Sequence, residues 1–235
     1  MNRKNPDDVV PGVRAAAKQE RHSHILDCAV KLYCAQGIEA TSMEQVSSAA
    51  AIGSATIYRY FPTKTDLVLA AALHVWEEKS AQFVPMFATQ SYQSACGREQ
   101  LSSILDLFLV LYGQSADFLR FLQAFDSYIA GSCLNMNLSD YEALLTDLKQ
   151  YAVAALKKGQ TDGSLHFTES ADEVYFTIFH AMLSTTQKLA LQGELLSMDA
   201  AVSGKTQIML LKKLLIAGLS TQNPLPGAAQ KGRLP

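Results

Sequence analysis

The prolines of this 235-residue chain are unevenly placed: they stand at positions 6, 11, 62, 85, 224, 226 and 235, and none lies between Pro85 and Pro224. Proline removes a backbone donor and collides with the preceding helical turn, so a stretch this long without one is free to be helical throughout. Strand-like alternation is absent over the same stretch, and apolar residues recur at three- and four-residue spacing instead. The chain is therefore expected to be all-α, with about nine helices broken at glycines and caps. With 49% hydrophobic and 18% charged residues, it can bury an ordinary core without disulfide staples.

The clearest local signals lie between Thr41 and Leu67. Ser42 followed by Gln45 is a capping-box pattern that opens a short helix near Met43, whose apolar side is Met43, Val46, Ala49 and Ala50. Ala51-Ile52-Gly53 turns the chain, with Gly53 expected in the backbone conformation that other residues avoid. A second short helix runs from about Ser54 to Tyr60 and closes at Phe61, ahead of Pro62. Thr63-Lys64-Thr65-Asp66 caps a third, long helix over about 64–84. An amphipathic helix, about Arg14 to Gln36, precedes them, carrying Ile25, Leu26, Ala29, Leu32 and Tyr33, and it stops at Gly37.

Short helix, tight turn, short helix is the layout of a helix-turn-helix DNA reader, whose second helix presents small or hydrogen-bonding side chains at its N-terminus to base edges. Gly53, Ser54, Ala55 and Thr56 meet that requirement. Thr41 and Ser42 open the first of the two helices, Tyr58, Arg59 and Tyr60 can reach phosphates or a thymine methyl, and Ile57 and Phe61 face inward. Lys64, in the first turn of the next helix, is placed to grip a phosphate.

The run ILDCAVKLYCAQGIEATSMEQVSSAAAIGSATIYRYFPTKTDLV resembles the N-terminal domain of the tetracycline-repressor (TetR/AcrR) family of transcriptional regulators. The likeness covers about residues 18 to 70 without a gap, and its most specific pieces are Gly37…Thr41-Ser42 and Thr56 to Lys64. It implies a DNA-binding domain over residues 1–63, a helical effector-binding and dimerisation domain over 64–219, and a disordered tail over 220–235. It also implies a homodimer on a palindromic double-stranded operator, most simply a repressor released by a small effector. An activator on the same fold, or a helical adaptor that binds no DNA, are the alternatives. The chain departs from the family pattern at Ala51, where a turn glycine is usual, and at Gly53 and Ser54, where serine and lysine are common. His24 replaces a basic residue, and Glu44 stands at a position often basic. These changes thin the positive charge of the reading face and shift expected backbone contacts toward Arg14, Lys18 and Arg21.

Charge is mildly asymmetric: residues 1–67 hold 8 Lys/Arg against 7 Asp/Glu, and residues 68–235 hold 12 against 15. A dimer that concentrates its basic groups on one face can bind DNA despite its net charge, with steep salt dependence. Cys28, Cys34, Cys96 and Cys133 show no Cys-x-x-Cys or paired Cys/His spacing, and are expected as reduced thiols with no metal or cofactor. His22 and His24 are expected to be solvated or phosphate-facing. There is no phosphate-cradling glycine loop or nucleophile elbow, which disfavours an enzyme. No signal peptide opens the chain and no apolar run reaches the ~18–20 residues of a membrane span, so the location expected is cytoplasmic, away from membranes.

Beyond Pro85, the expected order is a polar loop from Thr89 to Gly97, helices over about 98–112 and 115–130, and a loop from Asn135 to Ser139. A helix over about 140–158 follows, stopped by Gly159, then a turn at Thr161-Asp162-Gly163, and helices over about 170–192 and 199–217. A mostly apolar effector pocket is expected from Trp76, Phe108, Tyr112, Phe121, Phe125, Tyr128, Phe179 and His180, with Gln123, Asp126 and Gln187 as further polar pointers. Phe118, Phe121, Phe125 and Tyr128 share one helical face, which serves equally well as ordinary core. The last two helices carry more apolar surface than one core needs. Phe176, Phe179, Met182, Leu183, Ile208, Leu211 and Leu215 are the expected dimer interface, while Leu210, Leu214 and Ala217 form a second stripe.

Overall fold

A computed structural model describes residues 11–132, 136–192 and 201–220, with side chains of the first range given from residue 15 to 131. Among the described residues there are ten helices and no strand: α1 (Pro11–Gln36), α2 (Met43–Ala49), α3 (Ser54–Tyr60), α4 (Lys64–Phe87), α5 (Gln90–Ser94), α6 (Gly97–Gln114), α7 (Ala116–Ser132), α8 (Ser139–Asp162), α9 (Ala171–Leu191) and α10 (Gly204–Ser220). Cys133, Asn135, the start of the helix expected at residue 199 and the tail after Ser220 lie outside the described residues. None of the helices is long and apolar enough to cross a membrane.

The described residues divide into two compact units. One comprises residues up to Glu78 with Phe121–Tyr141, the other Lys79–Arg120 with residues from Glu142 on. In the first unit, the buried face of α1 (Ile25, Leu26, Ala29, Tyr33) shares a core with Val46 of α2, Ile57 of α3, Leu67, Val68, Ala71 and Ala72 of α4, and Phe121 and Phe125 of α7. Each large side chain so buried contributes about 1.5–3 kcal/mol. α2 contacts both α1 and α3. In the second unit α6, α9 and α10 touch one another pairwise, and Leu101, Leu105 and Phe108 of α6, Leu156 of α8, Met182 of α9 and Ile208 of α10 are buried.

Several element ends differ from the sequence expectation. The Thr89–Gly97 segment is not simply a loop: Thr89 accepts a hydrogen bond from the Tyr92 amide and caps the single turn of α5. Tyr92 is buried edge-on to Phe87, and its carbonyl accepts from Gln100 Nε2 at 2.7 Å. α4 runs through Pro85 to Phe87. α8 runs through Gly159 to Asp162, so residues 161 and 162 are helical, and Gly163, at φ +73°, provides the left-handed stop. Gly159 serves packing instead. A Cβ there would lie 2.5 Å from Leu165 Cδ1, and a Cβ on Gly97 would collide with the Gly159 backbone. The glycine pair lets α6 and α8 approach closely, and Asp162 Oδ2 accepts from the Gly97 amide at 2.8 Å.

Candidate nucleic-acid interface

Two interlocked caps hold α2. The Ser42 hydroxyl accepts from the Gln45 amide at 3.2 Å, while Gln45 Oε1 accepts from the Ser42 amide at 2.7 Å. Gln36, at the end of α1, donates to Gln45 Oε1 at 3.2 Å and to Thr41 Oγ1 at 3.1 Å, and Thr41 Oγ1 donates to the Gly37 carbonyl at 2.7 Å. Thr41 is buried, so its hydroxyl joins α1 to α2 rather than facing outward as the sequence reading had it. The buried side of α2 is Met43, Val46, Ser47 and Ala50; Ala49 is exposed.

The turn to α3 corrects another expectation. Gly53 is the N-cap of α3 at an ordinary φ of −71°, whereas Ala51 takes the left-handed conformation at φ +52°. The Ala51 amide donates to Ser48 O at 3.1 Å and the Ile52 amide to Ser47 O at 2.9 Å. These bonds end α2 in a Schellman motif with alanine where glycine is usual.

The turn aims α3 so that Ile57 and Phe61 are buried while Gly53, Ser54, Ala55 and Arg59 are exposed and Thr56 and Tyr60 half-buried. Tyr58 is 44% exposed, and its hydroxyl donates to Glu44 Oε1 of α2 at 3.1 Å. The Glu44 carboxyl is held below the usual range, first by its own backbone amide and then by the Ser42 and Tyr58 hydroxyls. A hydrogen-bonded carboxylate thus stands on the same surface as the exposed side chains of α3, a pairing that residue spacing along one helix could not reveal. Lys64 Nζ donates to the Glu39 carbonyl at 2.9 Å, tying the start of α4 to the α1–α2 connection. Asp66 accepts from both the amide and the hydroxyl of Thr63, completing the expected α4 cap. His22 is partly buried against Phe61, with ring centroids 5.1 Å apart. That corrects its reading as a solvated or phosphate-facing group, and burial lowers its pKa.

The expected effector residues fall into two separate sets. In the first unit, Phe121 and Phe125 are fully buried and stacked, Trp76 Nε1 donates to the Tyr141 hydroxyl at 3.0 Å, and Tyr128 lies 3.3 Å from Thr65 Oγ1. These residues fill a core. Burial pushes the Tyr141 hydroxyl up to about 12. In the second unit, Phe108 meets Phe179 edge-on and lines with Leu101, Leu156 and Tyr175 an apolar cavity of about 20 Å³, room for about one water molecule. Tyr112 packs over Gly204, where a Cβ would collide with its ring. His180 is exposed. A larger open groove of about 530 Å³ lies between α6 and α10, lined by Arg98, Asp106, Leu109, Met209, Lys212 and Ile216 among others. None of these was among the expected effector residues.

The expected interface residues also divide. Met182 and Ile208 are fully buried within the chain itself and cannot meet a partner. Phe179, Leu183, Leu211 and Leu215 are half-buried, and Phe176 is exposed. The exposed stripe of α10 is the other one, with Met209, Leu210 and Leu214 at 50%, 52% and 60% exposure. Both stripes are apolar in sequence, and only packing against α6 and α9 selects which is covered.

Residues 25–71, which include α2 and α3 and the start of α4, match the family described as bacterial regulatory proteins, tetR family. The transcriptional repressor LfrR of Mycolicibacterium smegmatis is 30% identical over 97 residues, covering 41% of this chain and 50% of that protein. The repressor KstR of Rhodococcus jostii is 38% identical over 61 residues, 26% of this chain and 29% of that protein. The chain spans half or less of the length of these curated relatives. Likeness of fold extends further. The ketosteroid transcriptional regulator KstR2 of Mycobacterium tuberculosis covers 86% of this chain and 96% of its own at a TM-score of 0.62 and 15% identity. The regulator FadR of Bacillus subtilis, solved with stearoyl-CoA, covers 83% and 98% at 0.59 and 18% identity.

Proposed function

We propose, for a chain that belongs to the tetR family of bacterial regulatory proteins, a cytoplasmic transcriptional regulator that binds duplex DNA through α3 and answers to a small, mostly apolar effector. The observation that carries this reading is the surface of α3: small and polar side chains at its exposed N-terminus, Tyr58 and Arg59 beyond them, and two buried anchors, Ile57 and Phe61, beneath. Ser54, Ala55 and Thr56 would meet base edges, and Ser42, Tyr58, Arg59, Tyr60 and Lys64 the phosphates; Thr41 is left out because it is buried. Repression is the favoured outcome, as in LfrR and KstR.

Residues 1–63 carry the DNA contacts in this reading, and residues 64–219 the effector and the dimer contact. Exposed Leu210 and Leu214 on α10, with Phe176 on α9, support a two-fold interface that sets two reading helices about one duplex turn, ~34–36 Å, apart on a palindromic site. The stearoyl-CoA and ketosteroid of the named fold neighbours support an apolar effector. Effector and DNA then oppose each other reciprocally, typically by ~1–3 kcal/mol.

The test is binding of genomic fragments selected by the protein, measured across salt. Lys64→Ala should weaken affinity about equally for all sequences and lower the magnitude of the salt slope by about 1. An unchanged affinity and slope would refute this docking orientation.

A further inference from the structure

Among the described residues, Asp27, His74 and Glu78 bring three potential ligand atoms within 4.8 Å of one another. His74 and Glu78 stand four residues apart on α4 and so project from one face of it; Asp27 comes from α1. His74 Nε2 lies 2.8 Å from Asp27 Oδ1 and 3.7 Å from Glu78 Oε1. Ligand atoms held at zinc-like distances of ~2.0–2.2 Å are separated by about 2.9–3.4 Å at octahedral to tetrahedral angles. The two observed separations bracket that range, so small side-chain rotations would seat an ion without moving either helix.

The donor set also has the right charge and access. Two carboxylates and a neutral imidazole sum to −2, which a divalent ion balances, and an imidazole favours first-row transition ions over magnesium or calcium. The side chains of His74, Asp27 and Glu78 are 14%, 46% and 59% exposed, so an ion and its waters can reach them while the imidazole stays held. As hydrogen-bonded, Nε2 carries the proton it donates to Asp27. An ion takes that nitrogen's lone pair, and the ring proton shifts to Nδ1.

We propose that Asp27, His74 and Glu78 form a binding site for a divalent transition-metal ion of the zinc class, which joins α1 to α4 and is completed by water. Three protein ligands with open positions make an exchangeable site rather than a closed structural one.

The test uses the full chain, freed of metal by chelation, and titrated with Co²⁺ while visible d–d absorption is followed. Absorption saturating at one ion per chain, displaced by Zn²⁺, and a higher melting temperature with Zn²⁺ are expected. His74→Ala, and independently Glu78→Gln at the most exposed of the three positions, should each weaken Co²⁺ binding at least about tenfold, with helical circular dichroism unchanged. If His74→Ala does not fold, Glu78→Gln decides. The other candidate pair on α1 is His24 and Cys28, 3.9 Å apart, so His24→Ala should leave binding intact. No Co²⁺ absorption, binding untouched by Glu78→Gln, or binding lost in His24→Ala would each overturn the proposal.

Discussion

Replacing Ala51 by glycine should make this protein more stable, although the substitution removes atoms and adds no contact. Ala51 sits at φ +52°, where a Cβ crowds the following carbonyl at a cost of roughly 1–2 kcal/mol. The conformation persists because the Schellman bonds to Ser47 and Ser48 satisfy the end of α2 and because the turn aims α3. Ala51 is exposed, so deleting its methyl group forfeits no packing. Against the relieved strain stands the greater freedom of glycine in the unfolded chain, about 0.4–1 kcal/mol. The balance for Ala51→Gly is a stabilisation of about 0.5–1 kcal/mol. For a chain of this size that is a rise of roughly 1–4 °C in melting temperature, or a higher urea midpoint at constant slope. Ala51→Val, which places a branched side chain in the same conformation, should move both in the opposite direction. If Ala51→Gly proves equal or inferior to the parent while Ala51→Val is harmless, the left-handed turn is not where the strain lies.

Three further outcomes are expected. Leu214→Glu should convert a dimer to a folded monomer by sedimentation, whereas Ile208→Glu should abolish folding because it buries a charge; a Leu214→Glu dimer would remove α10's exposed stripe from the interface. Glu44 should titrate in the folded protein below its ordinary 4.5, so its contribution favours folding above that pH and fades as pH falls through the lowered midpoint. Tyr58→Phe should move that midpoint upward by carboxyl-carbon NMR, and a fixed midpoint would mean that the hydroxyl does not hold Glu44. Gly97→Ala should destabilise by ~1–3 kcal/mol or more in denaturant titrations, since its Cβ would meet the Gly159 backbone; a neutral result would show that α6 and α8 have room to part.

The sequence by itself determined what depends on neighbours within a turn or two. The Ser42–Gln45, Thr63–Asp66 and Gly37 signals mark helix ends because a cap is a hydrogen bond between residues three or four apart, and Ile57 and Phe61 read as inward because one helix turn relates them. The reading helix was legible for the same reason. Tertiary structure decided what local pattern leaves degenerate. Leu211 and Leu215 or Leu210 and Leu214 could equally have been the covered stripe of α10, and packing against α6 and α9 chose the former. Gly159 is a breaker by propensity, yet α8 continues through it because the missing side chain lets Gly97 of α6 approach. Glu44 and Tyr58, 14 residues apart, and Asp27 and His74, 47 apart, meet only once separate helices pack. No periodicity encodes such a distance; it is set by the volume of the side chains between the helices and by the angles at which those helices cross.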